Sequence, residues 1–337
     1  SRNSDGNEEA LSVIRPQYSY TTPWTAGVLL DHTLRNERYY RQGEVAARFR
    51  QEHREVSAYR THVLRASQNN SDSVAAGIDF LDDSFSTLAG RPLDVLPDAR
   101  HYRFFDAGFD SNAYRFVKLN YVDKDLREQD FNLGHSRSIH LALSPGYGHQ
   151  RATWRLRASE AAGRAFSARS FVIGQVSVAT RAPHDRNTMI SADARLVNRF
   201  DTRFPQALVA RLRIDAGSQL DRDVQVFADG QSGLRAYPDF AFEGSRRVLL
   251  NLEHRIFLGR ELLHLFGPSI AVFVDSGQAF DHEFRVRKMK TDAGIGLRIG
   301  IARFESALIR IDYSWAFNSS PLNRAGHVLS ISTMHAF

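Results

Sequence analysis

The sequence predicts an all-β protein, and three observations support this prediction. Apolar and polar residues alternate with period two along most of the 337 residues, and residues two apart share one face of a strand. The alternating runs are numerous and of similar length. No helical periodicity continues for long. The chain is therefore expected to be a succession of two-faced strands.

The alternation is clearest in the last third of the chain. In the stretch SIAVFVDSG, Val272 and Val274 lie on one face and Asp275 lies on the other. In the stretch RRVLLNLEHRIFL, Leu252 lies on the apolar face and Glu253 on the polar face. Asp275 and Glu253 are therefore expected on the polar faces of neighbouring strands.

Two-faced strands are compatible with two kinds of protein. A soluble all-β protein turns its polar face to water, whereas an outer-membrane barrel turns its apolar face to lipid and its polar face to the lumen. Faces rich in Gly and Arg suit a lumen in which charges pair. Tyr313, Trp315 and Phe317 are typical of an aromatic girdle at one strand end. The pattern favours the membrane barrel, and a soluble all-β protein is the alternative.

The predicted fold is a transmembrane antiparallel β-barrel over residues 11–337, preceded by a disordered tail over residues 1–10. Bacterial barrels formed by one chain have an even number of strands, so we expect sixteen strands among seventeen candidates. The long connection 216–245 is expected to be extracellular, and the short ARFE turn at 302–305 periplasmic. The candidate strands are 11–20, 24–33, 43–54, 56–66, 73–81, 100–109, 112–122, 136–144, 151–160, 169–180, 187–196, 206–215, 246–258, 267–277, 290–302, 305–317 and 326–337.

The composition argues against several classes of protein. The net charge is +6, and the basic residues are spread along the chain, so no nucleic-acid partner is expected. The chain has no cysteine, which excludes disulfides and thiolate metal sites and suits a protein of the Gram-negative cell envelope. It also has no run of the roughly 18–20 apolar residues that a membrane-spanning helix needs.

Four motifs in the last third resemble, in the same order, the barrel of the bacterial surface antigen family, the BamA/TamA superfamily. They are GLRAYP, FEGSRRVLLNLEHRIFL, GPSIAVFVDSGQAF and DAGIGLRIG, and a terminal Phe337 follows them. The resemblance covers about residues 230–337, and upstream only the rhythm of strands is similar. Relatives in this superfamily include FhaC-type two-partner secretion transporters and barrels fused to patatin-like phospholipases.

The resemblance implies that the sixth extracellular loop folds back into the lumen of the barrel. In the family, the tip of this loop has the pattern Val/Ile/Leu-Arg-Gly-Phe/Tyr. The corresponding tip in this chain comprises Gly233, Leu234, Arg235, Ala236 and Tyr237, with alanine in place of the glycine of the pattern. Glycine is often required where the backbone needs an unusual φ, so the substitution bears on the conformation of the tip.

The resemblance also implies that Arg235 pairs with two carboxylates on the lumen wall, Glu253 and Asp275. A guanidinium suits this role because its donors form a planar fork that matches carboxylates. An inward loop needs such anchors to offset the entropy lost on ordering. The residues alone leave another arrangement open, in which Arg235 is exposed and Asp275 pairs with Arg298 or Arg255.

The function implied by the resemblance is the insertion or secretion of polypeptides at the bacterial outer membrane. Such barrels have a lateral seam between the first and last strands, and Phe337 resembles the C-terminal signal recognised during barrel assembly. The implied partners are outer-membrane lipid, an unidentified client polypeptide, and periplasmic POTRA domains or accessory lipoproteins. The POTRA domains are expected to lie outside these residues. No cofactor, metal or catalytic residue is implied.

Two other functions are compatible with the residues. A porin-like diffusion channel, passive or gated, would also have a charged lumen, although an inward loop favours an occluded pore. An enzyme is not expected, because the sequence lacks the G-x-S-x-G and H-E-x-x-H motifs and because histidines such as His140 and His254 have no fixed acidic partner. Asp79, Asp82 and Asp83 could bind a cation, but a solvated turn is favoured.

Overall fold

The structure is a computed structural model that describes residues 2–3, 5–19, 22–88, 96–123, 128–148, 150–184, 186–259, 261–263, 265–301, 308–320 and 326–333. The all-β prediction is confirmed, because 73% of the described residues are in strands and none is in an α-helix. One short 3₁₀ turn spans Val286–Lys288. No helix in the described part of the chain is long and apolar enough to cross a membrane.

Sixteen of the twenty strands form one antiparallel sheet, and the other four form two small hairpins. The first strand of the sheet has only two residues, so fifteen longer strands make up most of it. The strands are β1 (Arg2–Asn3), β2 (Gly6–Arg15), β3 (Trp24–Arg41), β4 (Glu44–Ala66), β5 (Asn70–Thr87), β6 (Arg100–Ala113), β7 (Phe116–Leu119), β8 (Gln129–Asn132), β9 (His135–Ser144), β10 (Thr153–Ser167), β11 (Ser170–Ala182), β12 (Asn187–Phe200), β13 (Gln206–Ser218), β14 (Val226–Ala228), β15 (Phe242–Gly244), β16 (Arg246–Phe257), β17 (Phe266–Phe280), β18 (Lys290–Ile301), β19 (Leu308–Ala316) and β20 (His327–Thr333).

Each strand of the large sheet pairs with the next strand of that sheet along the chain. Successive connections therefore lie alternately at the two ends of the strands. Two connections are long and contain a hairpin of their own. We call residues 114–134, with β7 and β8, the hairpin segment, and residues 219–245, with β14 and β15, the loop segment. Strands β9 to β13 lie between them. Because this number of strands is odd, the two segments leave the sheet at opposite ends of the strands.

The large sheet has one apolar, exposed face and one polar, covered face. In β17, Val272 and Val274 are exposed, whereas Phe273 and Asp275 are almost fully buried. In β16, Leu252 is 42% exposed and its neighbour Glu253 is 0% exposed. This distribution is the reverse of that in soluble proteins, whose charged residues are almost never fully buried unless they are paired.

The loop segment touches strands that are far apart in the sheet, and the sheet therefore curves around it. Gln225 accepts a hydrogen bond from the Tyr40 N–H of β3 at 2.9 Å. Asp221 accepts one from Arg100 of β6 at 2.8 Å, and Arg247 of β16 donates one to the Phe227 carbonyl at 2.6 Å. Among the described residues, no ladder pairs β20 with β1 or β2.

Three of the predicted strands do not correspond to separate strands of the large sheet. Residues 43–54 and 56–66 form one strand, β4, because Glu55 pairs with Asp31 on one side and Leu81 on the other, and the ladder continues past it. Consecutive charged residues interrupt the alternation there, although they do not interrupt the backbone pairing. The prediction of a strand at 112–122 fails because β6 ends at Ala113, and β7 belongs to the hairpin segment outside the large sheet.

Near the start of the chain the structure differs from the prediction. Near its end, two predicted features lie outside the described residues. Residues 6–10, assigned to a disordered tail because they are polar, belong to β2, where pairing with β3 satisfies their backbone groups. The predicted ARFE turn at 302–305 and the terminal Phe337 lie outside the described residues. The sheet has sixteen strands only when the two-residue β1 is included.

Candidate functional site

The loop segment folds onto the covered face of the sheet, and local hydrogen bonds shape its tip. The buried carboxylate of Asp229 accepts hydrogen bonds from the Ser232 N–H and the Phe240 N–H, both at 2.8 Å. Gly233 has a φ of 131°, which only glycine adopts readily. These features hold residues 233–237 in a compact turn, in which Leu234 is completely buried.

Arg235 lies at the centre of the site and contacts both of the carboxylates that the sequence singled out. Its Nε and Nη2 donate to the two oxygens of Asp275 at 2.7 and 2.9 Å, and its Nη1 donates to Oε2 of Glu253 at 2.5 Å. The guanidinium carbon lies 3.4 Å from the centre of the Phe273 ring. The arginine therefore combines a bidentate ion pair with a cation–π contact, and its side chain is 1% exposed.

The two arginines that could have paired with Asp275 instead contact Glu253. Arg255 Nε donates to Oε1 of Glu253 at 2.8 Å, and Arg298 Nη2 lies 3.3 Å from Oε2. Asn251 donates to Asp275 Oδ1 at 2.8 Å. The arrangement with an exposed Arg235 is therefore not the one in the structure.

Eight ionisable side chains meet around the tip, four acidic and four basic. Asp312 accepts a hydrogen bond from Arg298 at 2.5 Å and contacts Arg310 Nε at 3.2 Å. Buried charges are stable only when they are paired and hydrogen-bonded, and here the numbers of acidic and basic side chains are equal. The members are Glu253, Asp275, Asp292, Asp312, Arg235, Arg255, Arg298 and Arg310.

Asp292 gives the tip a third attachment. It lies directly opposite Asp275 in the β17–β18 ladder, and its Oδ2 is 3.4 Å from the Ala236 N–H. Two carboxylates opposite each other destabilise a sheet when both are ionised, and Arg235 binds one of them, Asp275, through both of its oxygens. The tip thus lies where carboxylates of two neighbouring strands are opposed.

Tyr237 also attaches the tip to the covered face of the sheet. Its hydroxyl donates to the Thr291 carbonyl at 3.0 Å. Burial raises the pKa of Tyr237 to about 12, so the hydroxyl keeps the proton that it donates. The ring packs edge-on against Phe242, with centroids 5.3 Å apart.

The alanine that replaces the motif glycine fits the tip without strain. Ala236 is not among the residues with positive φ, whereas Gly233 three positions earlier is. Ala236 is 2% exposed and packs in an apolar cluster with Leu234 and Leu249. The residue that requires glycine for its conformation is therefore Gly233.

Sequence reasoning missed several charged residues of the wall and misjudged others. Arg298 and Asp312 lie on polar faces that the alternation had identified, but nothing in the sequence indicated their partners. Asp79 and Asp83 are on β5 and bind Arg155 and Arg100, so they do not form a solvated turn. Asp82 of the same strand binds Arg103. The prediction for His140 was also wrong, because its Nδ1 lies 2.9 Å from Asp106.

No family model matches the chain, and no curated protein matches it significantly. Within the described residues, no group of three or more His, Asp or Glu side chains could hold a metal ion. What the geometry provides is a loop held in place against the covered face by buried ion pairs.

Arg235→Ala should release the loop segment without unfolding the sheet. Breaking one partner of a buried ion pair costs about 3–5 kcal/mol, and Arg235 makes two such pairs. We expect a non-specific protease to cleave residues 219–245 much faster in this variant, with unchanged strand content by circular dichroism. Arg222→Ala, which removes an exposed arginine from the same segment, is the control. Equal cleavage of the two variants would contradict the anchoring role.

Gly233→Ala should loosen the tip more than Ala236→Gly does. A Cβ at position 233 would lie 3.0 Å from Asn251 Nδ2 and would occur at a φ of 131°. Ala236→Gly should cost no more than about 1 kcal/mol of backbone entropy. The same protease measurement compares the two variants. A larger effect of Ala236→Gly would show that the glycine of the motif is needed at position 236 after all.

Proposed function

We propose that the chain forms a closed β-barrel in the bacterial outer membrane and that this barrel inserts or secretes polypeptides. The observation that carries the proposal is the reversed polarity of the large sheet, with its apolar face exposed and its ionic face covered. Outer-membrane barrels have this arrangement, because lipid surrounds them and the lumen is polar.

The cost of exposing the apolar face to water supports a membrane location. Burying a Val, Leu or Ile side chain stabilises a protein by about 1.5–3 kcal/mol, and most long strands of this sheet expose several such residues. Soluble monomers rarely expose apolar patches beyond a few hundred Å². Tyr313 and Trp315, both about half exposed on β19, suit the interface between lipid and water.

Closure of the sheet is the second part of the proposal. Unpaired backbone groups at a sheet edge are costly in lipid, so β20 would pair with the strands at the other end. The curvature around the loop segment brings distant strands to one central element and supports this closure. The seam of the barrel would then lie between β20 and the strands at the other end of the sheet.

A seam that opens would give a mechanism for handling polypeptides. An edge strand released at the seam can pair with a strand of an incoming client, which is β-augmentation. The loop segment would keep the lumen closed while the seam works, held by Arg235 on Asp275 and Glu253. This function, and membership of the bacterial surface antigen family, rest on the resemblance of the four motifs and on the ion pairs at the tip.

The partners follow from this proposal. They are outer-membrane lipid, a client polypeptide, and periplasmic POTRA domains or accessory lipoproteins, and no catalytic residue or cofactor is assigned. A porin-like channel is the second candidate, because the covered face is densely charged. The filling of that face by the loop segment favours the occluded barrel over a passive channel.

Val272→Lys should prevent insertion into membranes, whereas Val286→Lys should not. A lysine facing lipid near the bilayer centre costs about 2–4 kcal/mol, and Val272 lies on the exposed face of β17. Val286 is 70% exposed but lies in the connection after β17, so the same substitution there meets water. Co-flotation with liposomes measures insertion. If both variants inserted equally well, the lipid-facing position of Val272 would be wrong. If the wild-type protein and both variants stayed soluble and folded, the membrane location would be wrong.

Arg235→Ala and Asp275→Ala should impair the handling of a client while leaving the barrel folded. The probe is an eight-stranded outer-membrane barrel protein diluted from urea into liposomes that contain this protein, and its folding is followed by heat-modifiable gel mobility. We expect the wild-type protein to accelerate folding of the probe and both variants to lose most of the acceleration. Arg222→Ala is the control. Full acceleration by both variants would contradict the role of the anchor.

A further inference from the structure

The hairpin segment is an insertion that the sheet does not need in order to connect β6 to β9. The last residue of β6, Ala113, is already paired with the first residue of β9, His135. A two-residue turn would join them. Within residues 114–134, β7 and β8 instead form a separate two-stranded hairpin, which points to a role of its own.

The hairpin segment covers an apolar patch on the covered face of the sheet. Its Phe131 ring packs against Phe171 of β11, with centroids 4.8 Å apart. Tyr121 packs against Phe257 of β16 at 5.6 Å. Residues of the segment that are buried in this cluster are Leu119, Val122, Phe131 and Leu133, and those of the wall are Phe171, Val197, Ala207, Val209 and Phe257. In a polar lumen, such a patch is stable only while something apolar covers it.

Arginines of the wall hold the turn of the hairpin segment. Arg255 donates to the Val122 carbonyl at 2.9 Å and to the Asp123 carboxylate at 2.7 Å. Arg195 of β12 also binds Asp123, with one of its contacts at 3.1 Å. The segment is therefore fixed by both apolar packing and buried ion pairs, as the loop segment is.

The two segments meet on β16, because they approach it from opposite ends. Along the covered face of this strand, Asn251 and Glu253 bind the loop segment, whereas Arg255 binds the hairpin segment. Glu253 and Arg255 bind each other at 2.8 Å. A continuous series of ion pairs thus runs from Asp123 through Arg255 and Glu253 to Arg235.

We propose that the hairpin segment is a second gate, which closes the barrel at the end opposite the loop segment, and that Arg255 couples the two gates. The inference rests on the proposed function, since it requires a closed barrel. Two gates in series have a specific consequence, because opening one leaves the pore blocked by the other. Coupling has a second consequence. Without Arg235, Glu253 draws Arg255 away from Asp123 and loosens the hairpin segment.

The first test removes each gate separately and then both. Asn-Gly replaces residues 114–134 in one variant and 217–245 in another, since Ala113 pairs with His135 and Ala216 with Arg246. Planar bilayers measure ion conductance, after co-flotation with liposomes has shown insertion. We expect deletion of 114–134 to stay near the wild-type baseline, and deletion of 217–245 to give at most brief openings, because it also removes Arg235 and loosens the hairpin segment. The double deletion should reach the steady conductance of an open sixteen-stranded porin. Full opening by either single deletion, or a closed double deletion, would overturn the proposal.

The second test needs no deletion and measures coupling in the intact chain. The protein has no cysteine, so Val117→Cys, a residue packed against the apolar cluster, reports the seating of the hairpin segment through its rate of thiol labelling. We expect Arg235→Ala to speed labelling several-fold and Arg222→Ala to leave it unchanged. Equal rates would overturn the coupling. If either test fails in a protein that inserts into liposomes, the two-gate proposal is wrong and the proposed function is not affected. If the wild-type protein does not insert, the proposed function itself is wrong.

Discussion

Charge balance on the covered face of the sheet is the constraint on which the rest of the structure depends. Asp275 and Asp292 face each other across one ladder, and both are fully buried. The arginines of the wall are already committed to Glu253, Asp312 and the hairpin segment. Asp275 is bound instead by Arg235, which lies at the tip of the loop segment. The folding of the loop onto the sheet is therefore tied to the electrostatics of the strands.

Strand β16 shows how one run of alternating residues can serve two insertions. Its covered residues are spaced two apart, so each contacts a different part of the interior. The loop segment binds the half of the strand nearest its own connection, and the hairpin segment binds the other half. Glu253 and Arg255 stand at the boundary, where a single hydrogen-bonded pair joins both sets of contacts. This position makes β16 the structural link between the loop segment and the hairpin segment.

The two faces of the sheet set different demands on the sequence. The exposed face needs only apolar character, and Val, Leu and Ile are used interchangeably on β16, β17 and β18. The covered face needs particular partners, because an unpaired charge there costs several kcal/mol, on the order of the desolvation penalty of one buried ion. Single substitutions are therefore expected to have larger effects on the covered face than on the exposed face.

The sequence by itself determined most of the strands and the polarity of each face, and the resemblance of its motifs pointed to the residues of the tip. Alternation is a local property, so it placed Glu253 and Asp275 on polar faces without knowledge of the fold. It could not distinguish a strand of the large sheet from β7 of the hairpin segment, nor recognise that β4 runs through the charged residues near Glu55. It also could not assign Arg255 and Arg298 to Glu253 or locate the conformational requirement at Gly233. Only the tertiary structure decided these points, because pairing between strands and neutralisation of buried charges depend on residues distant in the chain.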